Sequence, residues 1–474
     1  MAQSTLPPNP ARPPAELPFV TVGGPGSSFP VEQYGNDAGR AVNAAGAFLK
    51  SSKGGTVYIS GGIGTTYRVT TQMVFYDTVN YVGDGITLQA APTLLNPFTT
   101  DPVNAYFSGY ISGMTLDGSN VPGTVVLSCI SIQYCTFVDL LIRNANAPLS
   151  SVAPGTSPTL WKNPSATRPA YVQVYGGKVT GIEVNGVAVG GTAGVFYVPP
   201  SGGLSIAWAQ APTVNVSNGT GVLLTSDPAI NPPALTNKRN NSTNAFLSCA
   251  VHSCSMGWVL SGALAGGQVT NNTWTQSSTQ FCSVCAIAYV NNCDSNTWVE
   301  TQLKLHTVGG VAVAFNLLTP GADAQVYYNR HLACSIDSSN SAFQIGVLLN
   351  ANQAKPNFIL MYQPNPELPI PVMVANRTRA YLNDVVNQVK HLYFGKRSGI
   401  DWFAETYPGS NVPFTNSTPF CLLLSVQGGA VTAVRLNGLP VGTTGGLFPL
   451  KPGDSLTCTS GSPPSTYSSL LSDF

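Results

Sequence analysis

The feature that most constrains this chain is a short β-like phrase recurring every two to three dozen residues between about 220 and 350. A small residue or glycine and alternating apolar residues lead to an asparagine. The phrase reads Ala286-Ile287-Ala288-Tyr289-Val290-Asn291, then Val311-Ala312-Val313-Ala314-Phe315-Asn316, then Ile345-Gly346-Val347-Leu348-Leu349-Asn350. Gly221-Val222-Leu223-Leu224-Thr225 and Gly257-Trp258-Val259-Leu260-Ser261 are looser copies. A second phrase interleaves with it: Asn272-Thr273-Trp274 and, 24 residues on, Asn296-Thr297-Trp298, with Asn329-Arg330-His331 as a candidate third copy. Two phrases alternating in one order point to a solenoid, whose turns stack because one turn cannot bury its apolar face alone. The expected fold is all-β: a right-handed parallel β-helix around one apolar column. A large β-sandwich with chance similarity between strands is the alternative.

Composition narrows the function. Charged residues make up 9% of the chain, against roughly 25% in an average soluble protein. With a net charge of +1, nothing points to electrostatic capture of nucleic acid or an anionic membrane. No run of roughly 18 apolar residues is present to span a bilayer, so membrane insertion is not expected. The N-terminus lacks the charged, apolar and small-residue layout of a signal peptide. Among ten cysteines, Cys282, Cys285 and Cys293 have metal-like spacing. They lack the second CxxC or paired histidines of a zinc site, so buried apolar thiols are the other reading, and no cofactor or metal is expected.

Residues 1–30 hold eight prolines and form an extended arm, either an idle terminus or a tether. Residues 31–150 open with Asp37 as N-cap of an Ala-rich helix, Gly39 to Lys50, with Ala41, Val42, Ala45, Phe48 and Leu49 on one stripe. Gly54-Gly55-Thr56-Val57-Tyr58-Ile59, Thr66-Tyr67-Arg68-Val69 and Val82-Gly83-Asp84-Gly85 follow. This order, over roughly 55 residues, resembles the N-terminal cap of the pectate-lyase-like superfamily, although the acidic run usual before the helix is reduced to Asn36-Asp37. The resemblance implies a helix plugging the open end of the apolar column. Gly113-Met114-Thr115-Leu116-Asp117 is echoed by Cys135-Thr136-Phe137-Val138-Asp139, which would stack Asp117 on Asp139 or place both at turns.

After a Pro/Ser/Thr-rich linker at 150–170, a second kind of repeat appears. Val174 to Pro200 aligns without gaps to Val426 to Pro452, with 13 of 27 positions identical. Asn185-Gly186 and Asn437-Gly438 mark a tight hairpin in each copy. A small β-module is therefore expected twice, inserted at 165–217 and terminal at 421–474. The main β-helix is expected at 218–395, a short helix at Tyr381 to Lys390, and a linker at 396–420. About 50 residues are marginal alone, so the module packs on the solenoid or on copies of itself.

This module looks like one that follows a pectate-lyase-like β-helix in bacteriophage tailspike and tail-fibre proteins. Its usual aromatic finish is replaced by Pro463-Pro464-Ser465-Thr466-Tyr467. The resemblance implies an elongated homotrimer on a virion, made in the host cytoplasm. It also implies an N-terminal arm attached to other phage tail proteins and a host surface polysaccharide, lipopolysaccharide or capsule, as ligand. Enzymatic depolymerisation stays open, as do a purely structural spike and a free polysaccharide-degrading enzyme.

Candidate site residues follow from alternation. If Val299 points inward, Asn296, Trp298 and Glu300 face out, beside Asn272, Trp274 and Gln276 of the preceding turn and His331 of the next. Amides bond hydroxyls and indoles cover apolar sugar faces, so Asn272, Trp274, Gln276, Asn296, Trp298 and His331 are the carbohydrate-binding candidates. Asp294 and Glu300 are the catalytic candidates, since glycoside hydrolysis needs two carboxylates. Lys304, His306 and Arg330 are a lyase alternative. The opposite parity makes Trp274 and Trp298 an interior stack.

Overall fold

The computed structural model describes residues 18–101, 108–146, 150–226, 240–262, 267–315, 326–338, 344–349, 358–362, 370–374 and 403–472, less short breaks at 167, 189–192, 218, 306, 405, 417–420 and 452. Most of the arm and the helix expected at Tyr381 to Lys390 lie outside the described residues.

The chain is a parallel β-helix with a helical cap. α1 (Ala38–Ser51) starts at Asp37, whose side chain accepts from Gly39 N at 3.0 Å and Thr70 N at 2.9 Å. The helix thus begins where an N-cap satisfies orphan N–H groups. Ala41, Val42, Ala45 and Leu49 are buried, but Phe48 is 52% exposed and leans on Phe29 rather than on the core.

Beyond the cap, successive coils pair in register. One sheet stacks Val125–Ile130, Thr220–Thr225, Met256–Ser261, Cys285–Val290, Val311–Phe315, Ile345–Leu349 and Ile370–Val374. A second, bent sheet has two limbs. Its first limb holds Thr136–Val138, Ala245–Leu247, Thr273–Thr275 and Thr297–Val299, and its second limb holds Leu141–Ala145, Ala250–Cys254, Ser278–Cys282 and Gln302–Leu305. Arg330–Ser338 runs through both limbs.

The second sequence phrase sets the frame of each coil. Asn244, Asn272, Asn296 and Asn329 are buried and form a ladder. Asn244 Nδ2 donates to Asn272 Oδ1 (2.7 Å), Asn272 Nδ2 to Asn296 Oδ1 (2.9 Å) and Asn296 Nδ2 to Asn329 Oδ1 (2.9 Å). Each Oδ1 also accepts the backbone N–H of the asparagine one coil before, at 3.2 Å. A polar row thereby satisfies itself inside an apolar interior.

Two residues after each ladder position an aromatic ring points inward. Phe137, Phe246, Trp274, Trp298 and His331 stack nearly parallel, with centroids 4.5, 5.0, 4.0 and 5.9 Å apart. Four residues after the ladder, Asp139, Ser248, Gln276, Glu300 and Ala333 all have φ near +50° and turn the chain between the limbs. Gly113 holds the equivalent corner one coil earlier, while Asp117 pairs in register with Arg143. Asp117 and Asp139 therefore do not share a column.

The inserted segment is a sandwich of two four-stranded sheets, and it includes Ser150–Ser151 and Thr159–Lys162 from the stretch read as a linker. Tyr171, Val195 and Tyr197 cover the outer face of the first sheet at Leu223, Met256, Val259, Ala288, Ala314 and Leu348. That second burial explains why Cys285–Val290 is buried at every position, as in sheets covered on both faces. The C-terminal copy repeats the topology and starts earlier than expected, using Phe403–Ala404 and Pro413–Thr415. In both hairpins Asn and Gly take positive φ (Asn185 52°, Gly186 76°; Asn437 51°, Gly438 81°), as a type I′ turn requires.

Candidate functional site

The interior stack decides most of the sequence-derived site. Trp274, Trp298, Asn272, Asn296 and His331 are all fully buried. Their proposed contact with sugar is corrected: the ladder asparagine and the aromatic two residues on share the inward side, leaving Thr297 and Val299 outward. Gln276 and Glu300 do reach solvent, at the corner between limbs, where Gln276 Nε2 donates to Glu300 Oε2 at 3.2 Å.

The structure does not bring Asp294 and Glu300 together. Asp294 lies on a short strand before the corner at Ser295, and Glu300 lies at the next corner. The five residue steps from Ser295 to Glu300, with the strand Thr297–Val299 between the two corners, separate the backbones by roughly 16 Å, against the roughly 5–9.5 Å between the carboxyl groups of a glycosidase pair. Of the lyase alternative, Lys304 is ion-paired to Asp337 at 3.3 Å, Arg330 is on the other limb, and His306 lies outside the described residues. Cys282 and Cys293 face the helix core and Cys285 the inserted sandwich. Burial pushes the Cys285 and Cys293 thiols up to about 12.

His331 Nε2 is 2.9 Å from Tyr289 Oη, which accepts from Trp298 Nε1 at 2.8 Å. Burial pushes the His331 pKa down to about 3. A histidine depressed below its unfolded value of about 6.5 contributes its full stability above that pH and loses it as pH falls toward the folded value, roughly 2–3 kcal/mol by pH 4.5. His331→Phe keeps a ring in the stack and removes the titration. Its loss of denaturation midpoint between pH 7 and pH 4.5 is expected to be smaller than that of the parent; an equal loss would contradict this.

Sequence reasoning missed the most polar outward row. Eight residues after each ladder position, on the second limb, stand Arg143, His252, Gln280, Lys304 and Asp337, and Gln89 extends the row toward the cap past Asp117, whose side chain is buried. Arg143 Nε meets Asp117 Oδ2 at 2.8 Å, and Asn144 Nδ2 donates to the same oxygen at 2.8 Å. The row thus carries an ion pair on each side of His252 and Gln280. Burial, reinforced by Arg143, lowers the His252 pKa and keeps its imidazole neutral near neutral pH. The corner at Gln276 and Glu300 bounds the row on one side. Phe281, 47% exposed at φ 58°, bounds it on the other. Such a face offers donors, acceptors and an aromatic edge to a long polar ligand.

No protein-family model matches the chain, and no curated protein does. Solved structures that match are mostly phage tailspikes and parallel β-helix enzymes active on polysaccharide. The ORF18 protein of Geobacillus virus E2 is 14% identical over 94% of this chain and 78% of its own, with a TM-score of 0.36. The Acinetobacter phage vB_ApiP_P1 tailspike is 10% identical over 96% of this chain and 86% of its own, with a TM-score of 0.33. The tailspike of E. coli bacteriophage HK620, solved in complex with a hexasaccharide, is 9% identical over 92% of this chain and 89% of its own, with a TM-score of 0.26. No described helix is long and apolar enough to cross a membrane.

Proposed function

We propose that this chain is a virion tailspike or tail-fibre protein that binds host cell-surface polysaccharide, lipopolysaccharide or capsule, during adsorption. The observation that carries the reading is the polar row from Gln89 to Asp337, with one side chain per coil and all but the buried Asp117 reaching solvent. Its six steps of about 4.8 Å extend roughly 29 Å along the stack. A linear, repetitive ligand fits a linear, repetitive surface, and the two ion pairs hold Arg143 and Lys304 in place before it arrives.

Assembly as a homotrimer, with the N-terminal arm attached to other tail proteins, belongs to the same reading. The C-terminal module supports it. Val195 and Tyr197 dock the inserted copy on the β-helix, whereas their counterparts Leu447 and Pro449 are exposed. A second reading, favoured by the neutral His252 beside Arg143, adds eliminative cleavage of an acidic polysaccharide with His252 as base.

The test is binding to an array of bacterial O-chains and capsular polysaccharides. His252→Ala combined with Lys304→Ala is expected to lower affinity for the best-bound polysaccharide tenfold or more, with little change in melting temperature. Unchanged affinity would remove this face from the account. An ultraviolet-absorbing unsaturated product, lost in His252→Ala, would establish the second reading.

A further inference from the structure

A different edge of the coil carries features that the row on the second limb leaves unexplained. The residue just before each ladder position forms the corner that enters the first limb. Its occupants are Tyr134, Thr243, Asn271, Ser295 and Tyr328, with φ between 54° and 59°. Asparagine is among the non-glycine residues that adopt this left-handed conformation most readily, and a bulky tyrosine is strained there. Yet tyrosine stands at both ends of the column, and the rings are presented to solvent: Tyr134 is 61% exposed and Tyr328 43%.

Beside this corner runs the outward column of the first limb, Thr136, Ala245, Thr273, Thr297 and Arg330. It is short-chained over four coils and ends in the exposed Arg330, two residues after Tyr328. Four coil steps of about 4.8 Å separate the tyrosines by roughly 19 Å. Two strained, exposed rings therefore bracket a shallow track of hydroxyl and amide groups.

We infer that the edge from Tyr134 to Tyr328 is a second polysaccharide-contacting track. The two tyrosines stack on sugar faces at its ends, the threonine column lies beneath the chain, and Arg330 takes an acidic substituent. The inference deepens the polysaccharide-binding reading and rests on it. It assigns to the first limb a contact separate from the His252 and Lys304 row on the second.

Substitution by asparagine makes the test sharp, because the corner favours asparagine. Tyr134→Asn combined with Tyr328→Asn is expected to leave the melting temperature unchanged or higher. Affinity for the polysaccharide that the parent binds best on the O-chain and capsule array is expected to fall roughly tenfold, the scale of two lost aromatic contacts. Unchanged affinity with a raised melting temperature would overturn the inference and leave the tyrosines as strained corners. Run in parallel, the His252 and Lys304 double variant separates the two claims. If it alone loses binding, only this track falls; if the parent binds no polysaccharide on the array, the functional reading falls with it.

Discussion

Asn296→Ala is expected to destabilise the chain by about 4 kcal/mol or more, enough to abolish folding of most of the protein. The side chain makes four buried hydrogen bonds. Its Oδ1 accepts from Asn272 N and Asn272 Nδ2, and its Nδ2 donates to Asn329 Oδ1 and to Val269 O at 2.9 Å. Alanine leaves those partners in a dry interior, and each buried group left unsatisfied costs roughly 1–3 kcal/mol. Water cannot easily replace the amide, because the position is fully buried. Soluble yield and denaturant midpoint check this. A variant that folds within about 1 kcal/mol of the parent would show that the ladder contributes far less than the hydrogen-bond arithmetic requires.

Trp298→Ala is the second large effect. The indole lies 4.0 Å from Trp274, meets Trp258 edge-on at 5.8 Å, stacks on His331 and donates to Tyr289 Oη. Truncating a buried tryptophan typically costs 3–5 kcal/mol through lost transfer energy and the cavity left behind. The expected result is a lowered unfolding midpoint, with near-normal polysaccharide affinity in whatever fraction folds. A sugar-facing indole would behave oppositely: stability would hold and binding would vanish. Because large proteins often unfold irreversibly, unfolding rates at fixed temperature are the safer comparison.

The contrast shows what could be read from the sequence. The interleaved phrases place Trp274 opposite Trp298, and His331 falls on the same column as its third copy. The helix behind Asp37 and the Asn-Gly hairpins were equally legible, because capping and left-handed turns are chemical requirements of a few residues. The direction of the Trp column was not legible, since strict alternation fits either parity. The deciding fact is collective: asparagine is acceptable inside only when a neighbour one coil away completes its hydrogen bonds.

The second-limb row was hidden for a different reason. Arg143 and His252 are neighbours across coils, yet the inserted sandwich lies between them in sequence. Once the ladder frame is known, the signal is simple: 244, 272, 296 and 329 each place a polar residue eight positions later. The strands at 150–151 and 159–162 were masked by Pro and Ser content, and the sandwich supplies the pairing that such a stretch lacks alone.

The measurement that bears most directly on the central claim is adsorption of the fluorescently labelled full chain to candidate host cells, before and after their surface polysaccharide is stripped. The account predicts saturable binding that disappears with the polysaccharide and is competed by the purified polymer. Binding that survives stripping undiminished would contradict it.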